Sequence, residues 1–479
     1  MTGLRSLTVD QVRPVAHTGQ VPTSRLLALP VLLAAAVFAP VAEAKLRTFE
    51  FRHGPLRVQP FQVQYTGKGT KARVRSPKVD GYIVRMYATV VDKRGRPIPV
   101  RRVMLHHVLF KNIGRFRGDR REPLCGHRGE SFYGTGEEDQ ALRLPRGYGY
   151  RIRKSDRWRI AWMLMNHRAR PETAYIRYRV VVETGRRLHP VTPYWVRVTR
   201  CRQTQDPIFT VPGGGPPGST ATKSTTFTLP RRGRLVAANG HVHGGSKDLV
   251  ISQPRCGDRV LMRSRPLYGR PSHPYYRTLP MLHEPGPIAS SWALTRSGIP
   301  VGPREPLRLT SLYDGELPHT RVMAIMHLYV DHRRGPTTTD CRALPPDMVN
   351  RLPRAPGRRR PPRLRVPLTG LDARGRARAI SRPPGRRRVY HENAIVRITG
   401  GAFSVRNLSI PLGASVRWRS RDPGWHNITL ANGPVGFASP MLRRGREYGH
   451  TFTDPGLYRV YCTLHPISMT QTIDVRPGP

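Results

Sequence analysis

The sequence predicts an all-β protein with two consecutive jelly-roll-like β-sandwiches and a third, Greek-key sandwich at the carboxyl end. Segments 58–65, 82–91 and 174–182 alternate or run apolar between turns that are rich in Gly and Pro. The chain contains 45 Gly and 48 Pro, and it has no long segment with helical periodicity. Its 479 residues are enough for three domains of ordinary size.

The amino-terminal segment resembles an export signal. An apolar run at 26–42 follows Arg25 and ends in Ala42-Glu43-Ala44. A basic residue, a short apolar run and a small-x-small motif are typical of a secretory signal peptide, here residues 1–44. A membrane anchor is the alternative, but the run is short for a span and contains two prolines. We therefore expect a protein that is secreted or held in an extracytoplasmic cell envelope.

The formal net charge is +52, and Arg greatly outnumbers Lys. Such a charge often indicates nucleic-acid binding, but the arginines are spread along the chain and no nucleic-acid motif accompanies them. We expect no nucleic-acid partner. Attraction to an anionic cell envelope is one use of the charge, and a general bias in composition is an equally simple explanation.

Composition also suggests where the domains divide. Residues 45–211 and 212–343 are expected to form the first and second sandwiches, and residues 389–479 the third. The Gly/Pro-rich stretch 212–219 is expected to connect the first two. Residues 344–388 are rich in Arg and Pro, which predicts an extended, semi-rigid linker without a core of its own.

Four of the five cysteines are available for disulfides in an exported chain. The fifth, Cys462, is a predicted metal ligand. We favour the pairs Cys125–Cys201 and Cys256–Cys341, because each then lies within one predicted domain. Four free thiols are the alternative.

The carboxyl-terminal region carries four metal donors in a close pattern. Cys462, His465 and Met469 lie within eight residues, and His426 lies upstream. A thiolate, two imidazoles and a thioether are the donors of a mononuclear blue-copper (type 1) site, because they serve both Cu(I) and Cu(II). The loop after Cys462 would return His465 and Met469 to the metal. A structural or metal-free relic is the alternative.

Residues 390–475 resemble the cupredoxin (plastocyanin-like) family. Asn427 follows the first histidine, and residues 455–462 resemble the family's PGxYxxxC strand. The resemblance implies a Greek-key cupredoxin sandwich that transfers electrons through copper, with Asn427 clamping two loops together. One departure concerns the axial ligand: three residues separate His465 from Met469, where common family members have two or four.

The middle of the chain carries a second series of donors. His106 and His107 are adjacent in an apolar strand, His167 follows another strand, and His241 and His243 are two residues apart. Side chains two apart on a strand share a face, so His241 and His243 can bind one ion. His106 and His107 point to opposite faces unless the strand bulges. Other histidines, among them His283 and His327, receive no role.

The order His-His, His, His-x-His, Met over residues 50–342 resembles the two-domain copper type II, ascorbate-dependent monooxygenase family. That family includes peptidylglycine α-hydroxylating monooxygenase and dopamine β-monooxygenase, and relatives of the stress-upregulated nodulin type are similar around His241. The resemblance implies two further copper ions. His106, His107 and His167 would bind an electron-donating copper in the first sandwich.

The same resemblance assigns His241, His243 and a methionine to an oxygen-activating copper in the second sandwich. Met323 is the preferred methionine and Met326 the alternative. Asn239 stands where the peptide-amidating enzymes have an Arg that holds the substrate carboxylate. Peptide amidation is therefore not supported.

Together these patterns predict an exported copper-dependent oxidoreductase. The tethered cupredoxin domain would pass electrons to a monooxygenase-like module that hydroxylates a C–H bond with O₂, with no catalytic residues beyond the metal ligands. A redox partner or small-molecule reductant would supply electrons, and the substrate is an unidentified small molecule or peptide. The alternative is a non-catalytic envelope protein that binds copper or carries electrons. An adhesive surface protein would need none of these ligands.

Overall fold

The computed structural model describes residues 44–66, 72–116, 119–200, 207–281, 283–333, 335–352 and 357–477. In this part of the chain, 34 strands are accompanied only by two short 3₁₀ turns, Pro254–Cys256 and Pro274–Tyr276. The all-β prediction is confirmed, whereas the jelly-roll connectivity stays a prediction. Residues 1–43, which hold nearly all of the predicted signal peptide, lie outside the described residues. Within those residues, no helix is long and apolar enough to span a membrane.

The first sandwich consists of two sheets that enclose one apolar core. One sheet has the order β1-β10-β4-β8-β11 with β7 beside β4, and the other has the order β2-β9-β5-β6 with β3 beside β9. Alternate residues of β10 are buried, so one face of that strand packs on the core, which contains Phe110, Phe132 and Trp158. The strands are β1 Lys45–Val58, β2 Val63–Tyr65, β3 Arg73–Val74, β4 Gly81–Val91, β5 Val103–Asn112, β6 Glu130–Gly136, β7 Leu142–Arg143, β8 Tyr148–Ile152, β9 Trp158–Asn166, β10 Glu172–Thr184 and β11 His189–Pro190.

The second sandwich is built in the same way from a sheet in the order β12-β22-β15-β20-β23, with β13 beside β22, and a sheet in the order β14-β21-β16-β17. A disulfide joins Cys256 to Cys341, as predicted. Cys201 lies outside the described residues, so the other pair stays a prediction. The strands are β12 Thr192–Arg197, β13 Ile208–Val211, β14 Thr220–Thr228, β15 Gly233–Val242, β16 Ser246–Gln253, β17 Arg259–Ser264, β18 Pro266–Leu267, β19 Ala289–Ser290, β20 Trp292–Val301, β21 Pro306–Asp314, β22 His319–Asp331 and β23 Val349–Arg351.

The predicted boundary between residues 211 and 212 is wrong. Strands β12 and β13 both pair with β22 of the second sandwich, so the boundary lies near residue 190. The stretch 212–219 is a turn between β13 and β14, where Gly213 and Gly214 have positive φ values of 75° and 80°. Glycine adopts this backbone conformation at little cost, so the Gly-rich composition marked a turn inside a domain.

The first and second sandwiches share apolar surface. Trp292, Leu294 and Tyr329 of the second sandwich pack into the core of the first. The Tyr329 hydroxyl donates a hydrogen bond to the Phe132 carbonyl at 3.0 Å, and the Tyr148 hydroxyl donates to the Arg296 carbonyl at 2.9 Å. Side chains at this boundary are therefore removed from bulk water.

The third sandwich has sheets in the orders β26-β29-β34-β33-β31 and β28-β27-β30-β32, with Trp418 fully buried in its core. Its strands, preceded by the hairpin β24–β25, are β24 Leu368–Leu371, β25 Ala377–Ile380, β26 Arg387–Val389, β27 Ala394–Thr399, β28 Ala402–Phe403, β29 Asn407–Pro411, β30 Ser415–Ser420, β31 Thr429–Asn432, β32 Glu447–Thr451, β33 Gly456–Tyr461 and β34 Thr470–Arg476.

The predicted linker 344–388, expected to be extended and without a core of its own, contains strands and packed residues in its described part. β23 pairs with β20, and β24 and β25 form a hairpin. Val366 and Leu368 are buried, and the Asn432 amide donates to the Val366 carbonyl at 2.6 Å. A few apolar side chains among the Arg and Pro residues are enough to fix the segment against its neighbours.

The third sandwich also contacts the second directly. The Thr320 hydroxyl donates to the Leu430 carbonyl at 2.9 Å, and the Arg321 guanidinium donates to the Ser439 carbonyl at 3.1 Å. The Gly436 amide donates to the Pro212 carbonyl at 2.7 Å. These contacts place the edge of the third sandwich beside β22.

Candidate metal centres

The four predicted donors of the carboxyl-terminal site come together at one end of the third sandwich. Cys462 follows β33, and the segment that carries His426 lies just before β31. The donor atoms of His426, Cys462 and His465 all lie within 4.8 Å of one another. Met469 Sδ lies 3.0 Å from His426 Nδ1, and Cys462 Sγ lies 3.7 Å from His465 Nδ1. All four donors thus face a common point.

Backbone hydrogen bonds close the loop that carries three of these donors. The amide of Cys462 donates to the Met469 carbonyl at 2.9 Å, that of His465 to the Cys462 carbonyl at 3.1 Å, and that of Met469 to the His465 carbonyl at 3.0 Å. The three-residue spacing between His465 and Met469 is accommodated in this closed loop. The departure from common family spacing does not keep the thioether away from the site.

Asn427 makes the loop-to-loop clamp that the resemblance implies. Its side-chain amide donates to the Thr463 hydroxyl at 2.7 Å, and its side-chain carbonyl accepts from the Thr463 amide at 3.1 Å. Its backbone amide lies 3.4 Å from Cys462 Sγ. A donor directed at the sulfur stabilises the thiolate form.

Burial sets the protonation of these donors. Cys462 and Met469 are fully buried. Burial raises the pKa of the Cys462 thiol, so a cation is needed to hold the sulfur as a thiolate. Burial also lowers the pKa of His426, which keeps the ring neutral, although Asp422 opposes the shift. A buried thiol, two imidazoles and a thioether fit a copper ion.

In the middle of the chain, a β-bulge brings His106 and His107 together. The register of β5 against β9 shifts between Leu105 and His107. Without a bulge, adjacent residues would point to opposite faces of the sheet. The two Nδ1 atoms lie 2.8 Å apart, so the pair can face one ion as the sequence required.

The histidines of the second sandwich meet this pair. The ring centroids of His106 and His243 are 5.0 Å apart, those of His241 and His243 are 5.3 Å apart, and those of His107 and His241 are 6.4 Å apart. The Nε2 atoms of His241 and His243 are buried without a hydrogen-bond partner. The two predicted ligand sets therefore adjoin in one cluster at the boundary of the sandwiches.

His167 joins the cluster differently from the prediction. Its Nδ1 donates to the Pro280 carbonyl at 3.0 Å, so that atom is not directed at His106 and His107. Its Nε2 is buried without a partner. Burial lowers the pKa of His167 to about 4, with smaller effects from Pro280 and from the nearby His283. The ring is neutral at pH 7, and the lone pair of Nε2 is available to a metal ion.

The two candidate methionines lie in different environments. Met326 is completely buried in the apolar core of the second sandwich. Met323 lines a cavity of about 90 Å³ together with His107, His241 and His327. The geometry therefore favours Met323 as the thioether donor.

Sequence reasoning missed several residues of the cluster. Glu138 Oε1 lies 2.8 Å from His241 Nδ1. Glu137 Oε1 is in direct contact with His283 Nε2, and the ring of His283 lies 4.4 Å from that of His106. A signal was present, because residues 137–139 are the one run of adjacent acidic residues in a chain of charge +52.

Most rings of the cluster are neutral at pH 7. Burial, reinforced by neighbouring imidazoles, lowers the pKa of His107 to about 3 and holds the pKa of His106 and His243 well below the usual range. The exceptions lie beside carboxylates: against the effect of burial, Glu138 raises the pKa of His241 and Glu137 raises that of His283. Neutral imidazoles with unpaired nitrogens are metal donors.

One cavity is lined both by the histidine cluster and by the loop that follows Cys462. It measures about 280 Å³, and its walls include His106, His107 and Met323 from the cluster and Thr463 and Leu464 from the carboxyl-terminal loop. Leu464 also packs beside Met104 and Met165 of the first sandwich. The loop that carries three donors of one centre thus shares a cavity wall with donors of the other.

No family model matches the chain. Amicyanin from Paracoccus denitrificans is 32% identical over 75 residues, which are 15% of this chain and 57% of amicyanin. The carboxyl-terminal domain is similar to cupredoxins. The matched part spans less than two thirds of that relative's length.

Among solved structures, a novel purple cupredoxin from Nitrosopumilus maritimus is 35% identical; the match covers 17% of this chain and 99% of that one, with a TM-score of 0.16. A Cu(I) amicyanin variant is 26% identical, with 18% and 82% covered and a TM-score of 0.17. The sequence similarity and the convergent donors support a blue-copper electron-transfer module in the cupredoxin-like domain.

Proposed function

We propose that this chain is an exported copper-dependent oxidoreductase in which the cupredoxin-like domain passes electrons to the histidine cluster, where O₂ is used to hydroxylate a C–H bond. The observation that carries the proposal is the shared cavity, whose wall contains Leu464 on one side and His107 on the other. Copper held in the two centres would supply one-electron transfer and O₂ activation.

In the cupredoxin-like domain, His426, Cys462, His465 and Met469 would hold the ion. The Asn427 clamp and the closed loop fix the donors before metal binds, so a change of oxidation state requires little movement of the protein. Soft sulfur donors combined with imidazoles suit both Cu(I) and Cu(II). The site is therefore suited to carrying single electrons.

The chain offers a short route between the centres. Cys462 is bonded through Thr463 to Leu464, and Leu464 packs near Met163, Met104 and Met165 of the first sandwich. Met163 lies opposite His107 in the pairing of β9 with β5. The route consists of covalent bonds and packed side chains, so no diffusional encounter between domains is needed.

In the cluster, His106, His107, His241, His243 and Met323 are the proposed donors for the acceptor centre. The thioether of Met323 would favour Cu(I), the state that reacts with O₂. The boundary between the sandwiches excludes bulk water from these donors, which protects reactive species from side reactions.

The cavity beside Met323 favours a small substrate over a peptide. Its volume is about 90 Å³, and Val108, Leu109 and Ile325 contribute apolar walls. A cavity of about 150 Å³ holds benzene, so this one suits O₂ or a smaller organic molecule. Asn239 is buried and offers no cation to a carboxylate. The proposed substrate class is therefore a small molecule without a required carboxylate.

The relay is tested by O₂ consumption with a reduced protein donor in wild type and in Cys462→Ser. Loss of the cupredoxin-like site should reduce the rate at least about 10-fold, while ascorbate, a small-molecule reductant that does not need the Cys462 site, should restore part of it. His391→Gln, which changes an exposed histidine of the same domain, is the matched control. Equal rates in wild type and Cys462→Ser would contradict the relay.

The second candidate is a non-catalytic, copper-binding electron carrier of the cell envelope. It is favoured by the sequence similarity to amicyanin, which covers 15% of the chain. Product formation separates the two candidates. Fully loaded protein that consumes no O₂ with ascorbate, yet exchanges electrons with a protein partner, would support the carrier.

A further inference from the structure

A group of donors in the cluster combines His106, a predicted copper ligand, with Glu137 and His283, which belong to neither predicted copper set. Glu137 follows β6 of the first sandwich, His106 lies on β5, and His283 lies between β18 and β19 of the second sandwich. Their donor atoms all lie within 4.8 Å of one another. His106 Nε2 is 3.8 Å from Glu137 Oε1, and His283 Nε2 contacts the same oxygen.

We propose that His106, Glu137 and His283 form a further binding site for a divalent transition-metal ion, which joins the first sandwich to the second. The inference goes beyond the proposed oxidoreductase function and does not depend on it, because it concerns metal binding alone.

The two new donors are held in place by their other polar atoms. Glu137 Oε2 accepts a hydrogen bond from the Gly286 amide at 2.7 Å, which leaves Oε1 facing the two histidines. His283 Nδ1 donates to the Glu284 carbonyl at 2.7 Å, which leaves the lone pair on Nε2. Metal-binding histidines typically use their second nitrogen in this way.

His283 Nε2 and Glu137 Oε1 are in direct contact, and His106 Nε2 approaches the same carboxylate oxygen, so one buried oxygen faces two imidazoles. In the described part of the chain, the ion-pair partners of Glu137 are imidazoles, although Arg is abundant. A buried carboxylate needs a compensating charge, and a metal ion between the three donors would supply it.

The alternative is a proton shared by Glu137 and His283. Burial lowers the pKa of His283, but Glu137 and the Glu284 carbonyl raise it more, which fits a charged imidazole in metal-free protein. An ordinary buried ion pair would then need no metal. Metal titration separates these two explanations.

Two imidazoles and one carboxylate leave an open position on the ion. This donor set is typical of catalytic Zn²⁺ sites and of non-haem Fe²⁺ sites. His106 presents Nδ1 to His107 and Nε2 to Glu137, so its ring lies between this site and the proposed copper donors.

The test is reconstitution of metal-free, full-length protein with Zn²⁺ alone, followed by metal analysis and thermal unfolding. We expect Glu137→Gln and His283→Gln each to lose one bound equivalent relative to wild type and to lose the rise in Tm that Zn²⁺ produces. Asp139→Asn and His127→Gln are matched controls; the first is an acidic neighbour that contacts Tyr87, and the second is exposed. Unchanged stoichiometry and an unchanged Zn²⁺ effect in both variants would overturn the proposal in favour of the ion pair.

A second variant covers the case in which removing a buried partner prevents folding. His283→Cys keeps a metal donor, and in a Cys462→Ser background Co²⁺ loading should then add a thiolate-to-cobalt charge-transfer band that Cys462→Ser alone lacks. Absence of this band in folded, Co²⁺-treated protein would also overturn the proposal. The Cys462→Ser background removes the thiolate of the cupredoxin-like site, so the band can be assigned. Neither result depends on oxidase activity, so failure here is distinguishable from failure of the relay.

Discussion

The two metal centres differ in how their donors are distributed along the chain. In the cupredoxin-like domain, three donors lie in one loop and the fourth is held by Asn427. In the cluster, donors come from β5, β15, β22 and three connecting segments, and they belong to both of the other sandwiches. A loop motif specifies a site almost by itself, whereas a site at a domain boundary depends on how two folds pack.

The largest expected effect comes from a substitution that removes the absorption of one centre and leaves the metal content of the other unchanged. Cys462→Ala should abolish the intense absorption of the blue-copper site, because no other thiolate is near the metal. The metal content of the cluster should be unchanged, since its donors do not include this sulfur. Absorption spectra and metal analysis on the same sample measure both. Loss of all metals from a folded variant would show that the centres are not independent.

The next effect concerns the two methionines of β22. Met326→Ala should lower the free energy of unfolding by about 2–5 kcal/mol, because it leaves a cavity in the apolar core. Met323→Ala should cost less stability but weaken Cu(I) binding in the cluster. Chemical denaturation and competition for Cu(I) with a chelator measure the two quantities. Equal Cu(I) affinity in wild type and Met323→Ala would remove Met323 from the donor set.

A pH effect should appear beside the cluster. Against the effect of burial, Glu284 and Asp314 raise the pKa of His319 to about 9. The pKa of His319 in the folded protein therefore lies above its value in the unfolded chain. The charged ring stabilises the folded state fully below about pH 6.5, and this stabilisation is lost as the pH rises through about 9.

The expected loss of unfolding free energy is up to about 3 kcal/mol, since one pKa unit corresponds to about 1.4 kcal/mol. Thermal midpoints of metal-free wild type and His319→Gln at pH 6 and pH 9.5 measure it. The difference between the two proteins should shrink at the higher pH. A difference independent of pH would contradict the assignment.

The smallest effect tests the clamp of the cupredoxin-like site. Asn427→Ala removes two side-chain hydrogen bonds to Thr463. We expect a loss of about 1–3 kcal/mol, because Thr463 is left with buried unpaired groups. Denaturation monitored by the blue absorption measures this loss. Asn432→Ala, which removes an amide contact to the linker, provides a comparison within the same domain.

The same difference between the centres explains what the sequence could predict. The pattern around Cys462 was enough to name His426, His465 and Met469, and the structure brings their donor atoms together. The β-class was predictable from alternation and turn residues. These are local features, and they do not depend on how the neighbouring domains pack.

The cluster was predictable only in part. The bulge that unites His106 and His107 depends on pairing between β5 and β9, which no local pattern specifies. Glu137 and His283 are far apart in sequence and meet only because the sandwiches pack together. The packing of the Arg/Pro-rich segment was not predicted for a similar reason, since Val366 and Leu368 are buried and the Val366 carbonyl accepts a hydrogen bond from Asn432 of the third sandwich.

The central claim is that the two centres are joined by a direct electron path within one molecule. The decisive measurement is rapid reduction of the cupredoxin-like site in fully oxidised, anaerobic protein, followed by the recovery of its blue absorption. We predict a recovery whose rate is independent of protein concentration and which disappears in a His107→Ala, His241→Ala double variant. A recovery that depends on protein concentration, or that persists unchanged in the double variant, would contradict the account.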